Sequence, residues 1–159
     1  MYEPNVQSSG RQIVRAVPDI GVGVSRGYVP GAWDMFHVGH LNILRRAREH
    51  CEHLIVGVVS DQTLFDMKGK SPVVPLEERM EIVGAIGIVD DVVVDFSADK
   101  REVRERVEFD VLFKGDDWRG TAKGLKLEAD MGSIGVRVHY FPYTKQTSST
   151  ELRRVLAAY

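Results

Sequence analysis

The sequence predicts an α/β fold in which a mostly parallel sheet is covered by helices on both faces. Two observations carry that reading. Unbroken Val/Ile/Leu runs of strand length recur along the chain, and stretches with helical spacing separate them. A strand exposed on one face alternates apolar with polar residues, so a continuous apolar run marks a strand buried on both sides, as in parallel sheets. Parallel neighbours need crossover connections, and the intervening helices supply them.

The elements follow in order. Residues 1–25 lack a continuous apolar stretch of signal-peptide length and are expected to form a flexible or loosely docked extension, with residues 26–159 as the folded domain. A first strand lies around Tyr28-Val29, just before Gly31. A helix follows in which Leu41, Leu44, Ala47 and Cys51 share one face while the arginines point away. Leu54 to Val59 reads as the second strand, and Pro75 opens a helix from Leu76 to about Ile86 with Met80 and Val83 at core spacing. Val92-Val93-Val94 is a third strand, and the charged segment Lys100 to Val107 a further helix. Val111-Leu112-Phe113 and Val136 to Phe141 complete the strands. Ser148 and Glu151 stand at capping-box spacing before a last helix containing Leu152 and Leu156.

Composition limits what the protein can do. A length of 159 residues suits one domain, and 43% hydrophobic with 28% charged residues is ordinary for a globular chain. The formal net charge of −2 gives no general field to hold nucleic acid or an anionic membrane, so any anion must be bound by a local cluster. No run of about 18 apolar residues is present to cross a bilayer. The single cysteine, Cys51, allows no intrachain disulfide, and a cytoplasmic, reducing setting is expected.

The informative stretch is Gly31-Ala32-Trp33-Asp34-Met35-Phe36-His37-Val38-Gly39-His40, between the first strand and the first long helix. Ligands of open α/β sheets bind beyond the carboxyl ends of the strands, and a helix N-terminus there offers free N–H groups to phosphate. His37 and His40 sit at that helix start and can donate to phosphate oxygens, while Gly39 lets backbone approach closely. A zinc pair is the competing reading, but two histidines with Val-Gly between them and no further Cys or His nearby are poor metal spacing.

With three later motifs the stretch becomes recognisable. GAWDMFHVGH resembles the first signature, G-[TC]-[FY]-D-x-x-H-x-G-H, of the cytidylyltransferase branch of the HxGH nucleotidyltransferases. Lys68-Gly69-Lys70 before Leu76-Glu77-Glu78-Arg79 is similar to that family's lysine loop and arginine-bearing helix. Val111-Leu112-Phe113-Lys114-Gly115-Asp116-Asp117-Trp118 resembles the strand-plus-GDDW element of glycerol-3-phosphate cytidylyltransferases. Tyr143-Thr144-Lys145-Gln146-Thr147-Ser148-Ser149-Thr150 matches part of the pattern R-T-E-G-I-S-T-T that opens the last helix. The resemblance spans about Tyr28 to Leu156 and implies a Rossmann-like three-layer α/β/α sandwich.

It also implies a chemistry: transfer of CMP from CTP to a phosphorylated small alcohol, best matched by glycerol 3-phosphate, with release of pyrophosphate. An adenylyltransferase using ATP and a heptose 1-phosphate is the alternative, since Phe113-Lys114-Gly115 fits that branch about as well. Phosphocholine, phosphoethanolamine and phosphonate acceptors stay open, and a nucleotide sensor without turnover stands last. On this reading His37, His40, Lys70 and Arg79 are catalytic, and Lys68, Lys70 and Arg79 bind the phosphorylated substrate. Gly31, Ala32, Trp33, Asp34, Gly39, Gly115, Asp117, Tyr143, Thr144, Ser148 and Ser149 join the histidines around the nucleotide. Asp34 is the expected ligand of a Mg²⁺ ion accompanying the triphosphate. Three departures from the pattern stand out. Ala32 replaces Thr or Cys, Tyr143 replaces Arg, and Gly87-Ile88-Val89-Asp90-Asp91-Val92 lacks the arginine of R-Y-V-D-E-V, an element at the homodimer interface of the family.

Overall fold

The computed structural model describes residues 25–142 and 148–159. All of the expected N-terminal extension except Ser25, as well as Tyr143 and Thr144, therefore lie outside the described residues. Eleven elements follow one another: β1 (Arg26–Gly31), α1 (Val38–Arg48), β2 (His53–Val59), α2 (Asp61–Lys68), α3 (Leu76–Gly84), β3 (Asp91–Asp95), α4 (Lys100–Arg104), β4 (Val111–Gly115), α5 (Ala122–Gly132), β5 (Arg137–Phe141) and α6 (Ser149–Leu156). A single 3₁₀ turn, Asp116–Trp118, follows β4.

The five strands make one sheet in the order β3-β2-β1-β4-β5, and every pairing is parallel. This is the parallel sheet expected from the apolar runs and the Rossmann-like α/β sandwich that the resemblance implied. The order reverses at β1. The chain moves outward through β2 and β3, then returns to lay β4 against the other side of β1. A crevice therefore opens between the carboxyl ends of β1 and β4, where α/β sheets place their ligands.

Two cores lie on the two faces of the sheet. Val29, Val56, Val58, Val111 and Phe113 pack against Leu44 and Ala47 of α1 and Val83 of α3. Tyr28, Ile55, Val93 and Leu112 pack against Val103 of α4 and Leu127 and Met131 of α5. Successive residues of β1 and β4 thus feed opposite cores, as the two-residue period of a strand requires.

Two helices escape the sequence reading, α2 and α5. Their caps are local and legible: Ser60 Oγ accepts from Thr63 N at 3.1 Å, Gly69 closes α2 in the left-handed region (φ 71°), and Thr121 Oγ1 accepts from Gly124 N. Their apolar stripes are weak, however. Phe65 and Met67 of α2 and Leu125 of α5 are exposed, and glycines interrupt α5, so periodicity alone does not reveal them. The charged helix expected from Lys100 to Val107 ends at Arg104, with Val107 continuing into the core.

One close approach fixes the floor of the crevice. A Cβ on Gly57 would lie 1.9 Å from the Tyr28 hydroxyl, so only glycine leaves room for that ring. The hydroxyl in turn donates to Asp95 Oδ2 at 2.7 Å inside the core. We expect Gly57→Ala to lower unfolding free energy by about 1–3 kcal/mol through overpacking. A fall in the urea midpoint at unchanged m-value tests this.

Candidate functional site

The loop from β1 to α1 is built under strain. Trp33 (φ 56°) and Met35 (φ 49°) both occupy the left-handed region, although neither is glycine. Each such residue costs of order 1–3 kcal/mol and persists only where its surroundings hold it. Trp33 is buried and donates Nε1–H to Gly57 O at 3.0 Å. Asp34, between the two, is fully buried and acts as a clasp. Its Oδ1 accepts from Val74 N and its Oδ2 from Val73 N, each at 2.9 Å, and Oδ2 also accepts from the Arg153 guanidinium. Burial raises the Asp34 carboxyl, but these donors outweigh it and hold the group below its usual value. The Asp34 carbonyl accepts from Ser149 Oγ at 2.7 Å. One residue therefore joins the first motif to the stretch before α3 and to α6.

His37 caps α1. Its Nδ1 accepts from Gly39 N at 3.0 Å, and His40 Nδ1 accepts from His37 N at 3.2 Å. An imidazole nitrogen that accepts carries no proton, so both rings are neutral with the proton on Nε2. The rings stack with centroids 3.9 Å apart, where two positive charges would repel. Burial, and then the neighbouring His37, push His40 down to about 3, and burial lowers His37 as well. The capping contacts thus leave each Nε2–H as the donor available to a ligand.

One cleft of about 380 Å³ joins these parts. Gly31, Ala32, Trp33, Asp34, His37, Gly39 and His40 line it from β1 and α1, Gly115 and Asp117 from the end of β4, and Ser148 and Ser149 from the start of α6. Lys68 also lines it, its ammonium lowered by partial burial and by nearby Arg153, Lys123 and Lys70. Most of the residues singled out from the sequence are thereby brought together.

Three of those expectations change. Arg79 is fully buried and does not line the cleft: its Nε donates to Val74 O, its NH1 to Ala32 O and Val59 O, and its NH2 to Asp61 Oδ1. All three nitrogens are used, so the guanidinium braces the strand ends instead of meeting phosphate. Lys70 is exposed outside the lining, two residues beyond Lys68 and past the end of α2. Asp34 does not fit as a Mg²⁺ ligand, because both its oxygens already accept from N–H donors. Among the described residues no group of three His, Cys, Asp or Glu could hold a metal. Ser148 keeps its capping role, accepting from Glu151 N at 3.1 Å, while the Ser149 hydroxyl is committed to Asp34.

The structure adds cations that sequence reasoning did not single out: Lys100, Lys114, Lys123 and Arg153. Lys114 carried a signal, a lysine closing the apolar run of β4. The others carried none, since lysines and arginines on helices are ordinarily solvated.

Residues 28–155 match the family described as cytidylyltransferase-like. The chain belongs to that family. Within it, the chain is 32% identical to the FAD synthase of Pyrococcus abyssi (strain GE5 / Orsay) over 132 residues, which is 82% of this chain and 89% of that one. It is 41% identical to the ethanolamine-phosphate cytidylyltransferase of Arabidopsis thaliana over 97 residues, 58% of this chain but 23% of that protein. The crystal structure of the lipopolysaccharide core biosynthesis protein from Thermoplasma volcanium GSS1 shares the fold, with TM-score 0.65 and 22% identity over 79% of this chain and 100% of that one. Nucleotidyl transfer is therefore the activity class of this cytidylyltransferase-like chain. No helix among its described residues is long and apolar enough to cross a membrane.

Proposed function

We propose that the chain transfers CMP from CTP to the phosphate of a small alcohol, glycerol 3-phosphate being the best candidate, and releases pyrophosphate. The observation that carries the reading is the stacked, neutral histidine pair at the start of α1, facing a cleft rich in lysine. An oxygen of the acceptor phosphate attacks the α-phosphorus, a new P–O bond forms, and the bond to pyrophosphate breaks in line with it. That oxygen is already a competent nucleophile, so positioning and charge stabilisation supply the acceleration.

His37 and His40 donate Nε2–H to oxygens on the α-phosphorus, where negative charge grows in the transition state. Lys68 offsets charge on the triphosphate, with Lys70 joining from its exposed position after α2 when substrate is bound. The N-terminus of α6, capped by Ser148, faces the β- and γ-phosphates. Gly115 and Asp117 border the nucleoside. A divalent ion would neutralise the triphosphate and be held by its oxygens and water, with Asp34 left to its structural bonds.

The test is pyrophosphate release with Mg²⁺ across CTP, ATP, UTP and GTP. Acceptors are glycerol 3-phosphate, phosphocholine, phosphoethanolamine, hydroxyethylphosphonate, a heptose 1-phosphate and flavin mononucleotide. Turnover confined to CTP with glycerol 3-phosphate is the expected result. The likeness to an FAD synthase along 89% of its length favours one second reading, adenylyl transfer to a flavin. Turnover with ATP and flavin mononucleotide establishes that reading, and turnover with ATP and a heptose 1-phosphate the sugar branch. Nucleotide binding without turnover anywhere would leave a sensor.

A further inference from the structure

A further departure from the pattern G-[TC]-[FY]-D stands at Trp33, where the pattern carries Phe or Tyr and this chain carries an indole. A phenyl ring has no donor, and a tyrosine hydroxyl sits at the far tip of its ring. The indole N–H lies on the side of the ring, and here it donates to Gly57 O of β2 at 3.0 Å. The same ring is pressed against the end of β1. A Cβ on Gly31 would lie 2.9 Å from its Cε2 and 3.1 Å from its Nε1. Trp33 is thus moored to two strands while its own backbone is in the left-handed region.

The moored ring reaches the histidines. Trp33 and His40 meet edge-on, with centroids 5.4 Å apart and planes at 60°. Phe36 at 5.2 Å and His37 at 3.9 Å flank His40 as well, but both belong to the turn that leads into α1. Trp33 brings a contact whose hydrogen bond is anchored in the sheet.

His40 needs such a contact. The χ2 torsion of a histidine is soft. Among the described residues one hydrogen bond holds the ring, from His37 N to Nδ1, and at 3.2 Å it is at the long end of the usual range. Rotation of the ring about χ2 would weaken that bond and swing Nε2–H away from the cleft. Neighbouring rings that resist the rotation therefore decide where the donor points.

We infer that Trp33 is a positioning residue: its indole, moored to Gly57 of β2, fixes the plane of His40 and so the direction in which His40 presents Nε2–H to the nucleotide. The consequence for turnover rests on the proposed nucleotidyl transfer, whereas the fixing of the ring is a property of the ligand-free protein.

The experiment compares wild type with Trp33→Phe and with protein carrying benzothienylalanine at position 33, which keeps both rings and has sulfur in place of the N–H. Nitrogen NMR of the histidine rings without ligand reads the tautomer of His40. Pyrophosphate release from CTP and glycerol 3-phosphate reads kcat and KM, and thermal midpoints report whether each variant is folded. Wild type is expected to show a single Nε2–H tautomer for His40, and Trp33→Phe a mixture of the two tautomers. Trp33→Phe should lower kcat by about 10–100-fold, the scale of a misplaced catalytic group, with KM for CTP within about threefold. The sulfur analogue should lose about 3–10-fold, the share of one hydrogen bond, and it gives the test if Trp33→Phe does not fold. Folded variants that keep the single tautomer and the wild-type kcat overturn the inference, since a ring that served packing alone would move only the thermal midpoint. A raised KM for CTP with kcat unmoved overturns it too, making Trp33 a nucleotide contact. A tautomer mixture in the variants of a protein whose wild type releases no pyrophosphate keeps the positioning and overturns the proposed reaction.

Discussion

His40→Asn is expected to lower turnover by roughly 10²–10³-fold while leaving the fold intact, the usual consequence of losing one transition-state donor. The substitution is chosen for its geometry. The side-chain oxygen of asparagine can take the place of Nδ1 and accept from His37 N, so the cap of α1 survives. What disappears is the Nε2–H. A KM for nucleotide that changes little beside a collapsed kcat marks an interaction made in the transition state, whereas a lost thermal midpoint would mean that His40 serves structure. The same residue predicts a pH effect. His40 is held at about 3 against an ordinary 6.5, so between these values the unfolded chain binds a proton that the folded chain refuses. Its contribution to stability is complete above about 6.5 and is lost progressively as pH falls toward 3. Asp34 acts in the same direction, because its lowered carboxyl is protonated more readily in the unfolded chain. Denaturant midpoints should fall from pH 7 to pH 4.5, and less steeply in His40→Asn.

Arg79→Met is expected to destabilise the protein by about 3–5 kcal/mol, the range for breaking a buried charged network by deleting one partner. For a chain of this size that is a fall in Tm on the order of 10 °C. The cause is the set of acceptors left behind: carbonyls of Val74, Ala32 and Val59 lose their donors inside the protein. Asp61 is half exposed and can return to water, so the carbonyls dominate the loss. Arg79→Lys should rescue little, since one ammonium on a flexible stem cannot reach three carbonyls held by a planar fork. Calorimetry without any ligand makes the distinction. A guanidinium that served phosphate alone would leave the ligand-free Tm unmoved, and that outcome would sink the bracing role.

The contrast between these two residues shows how far a sequence reaches. His37, Val38, Gly39 and His40 act within one turn of helix, and the contacts that set their tautomers join residues two or three positions apart. Such an arrangement is legible from the string alone. β2, β3 and β4 were legible for a related reason, as the apolar runs that a strand covered on both faces requires, whereas the edge strand β5 showed an alternating first half. α2 and α5 were not, because their exposed apolar side chains blur the periodicity that betrays a helix.

By itself the sequence determined the α/β class, the succession of the five strands with the helices α1, α3, α4 and α6 between and after them, and the pair of histidines at the start of α1. All three are written in local spacing. Only the tertiary structure decided which charges face the cleft. Arg79 meets acceptors 5, 18, 20 and 47 residues away, and Arg153 meets Asp34 at a separation of 119. Lys100 and Lys114 come from different elements, α4 and β4, and line the same cleft. Whether a charged side chain is a brace or a ligand contact depends on which acceptors surround it after burial, and those are set by folding rather than by neighbours in the chain.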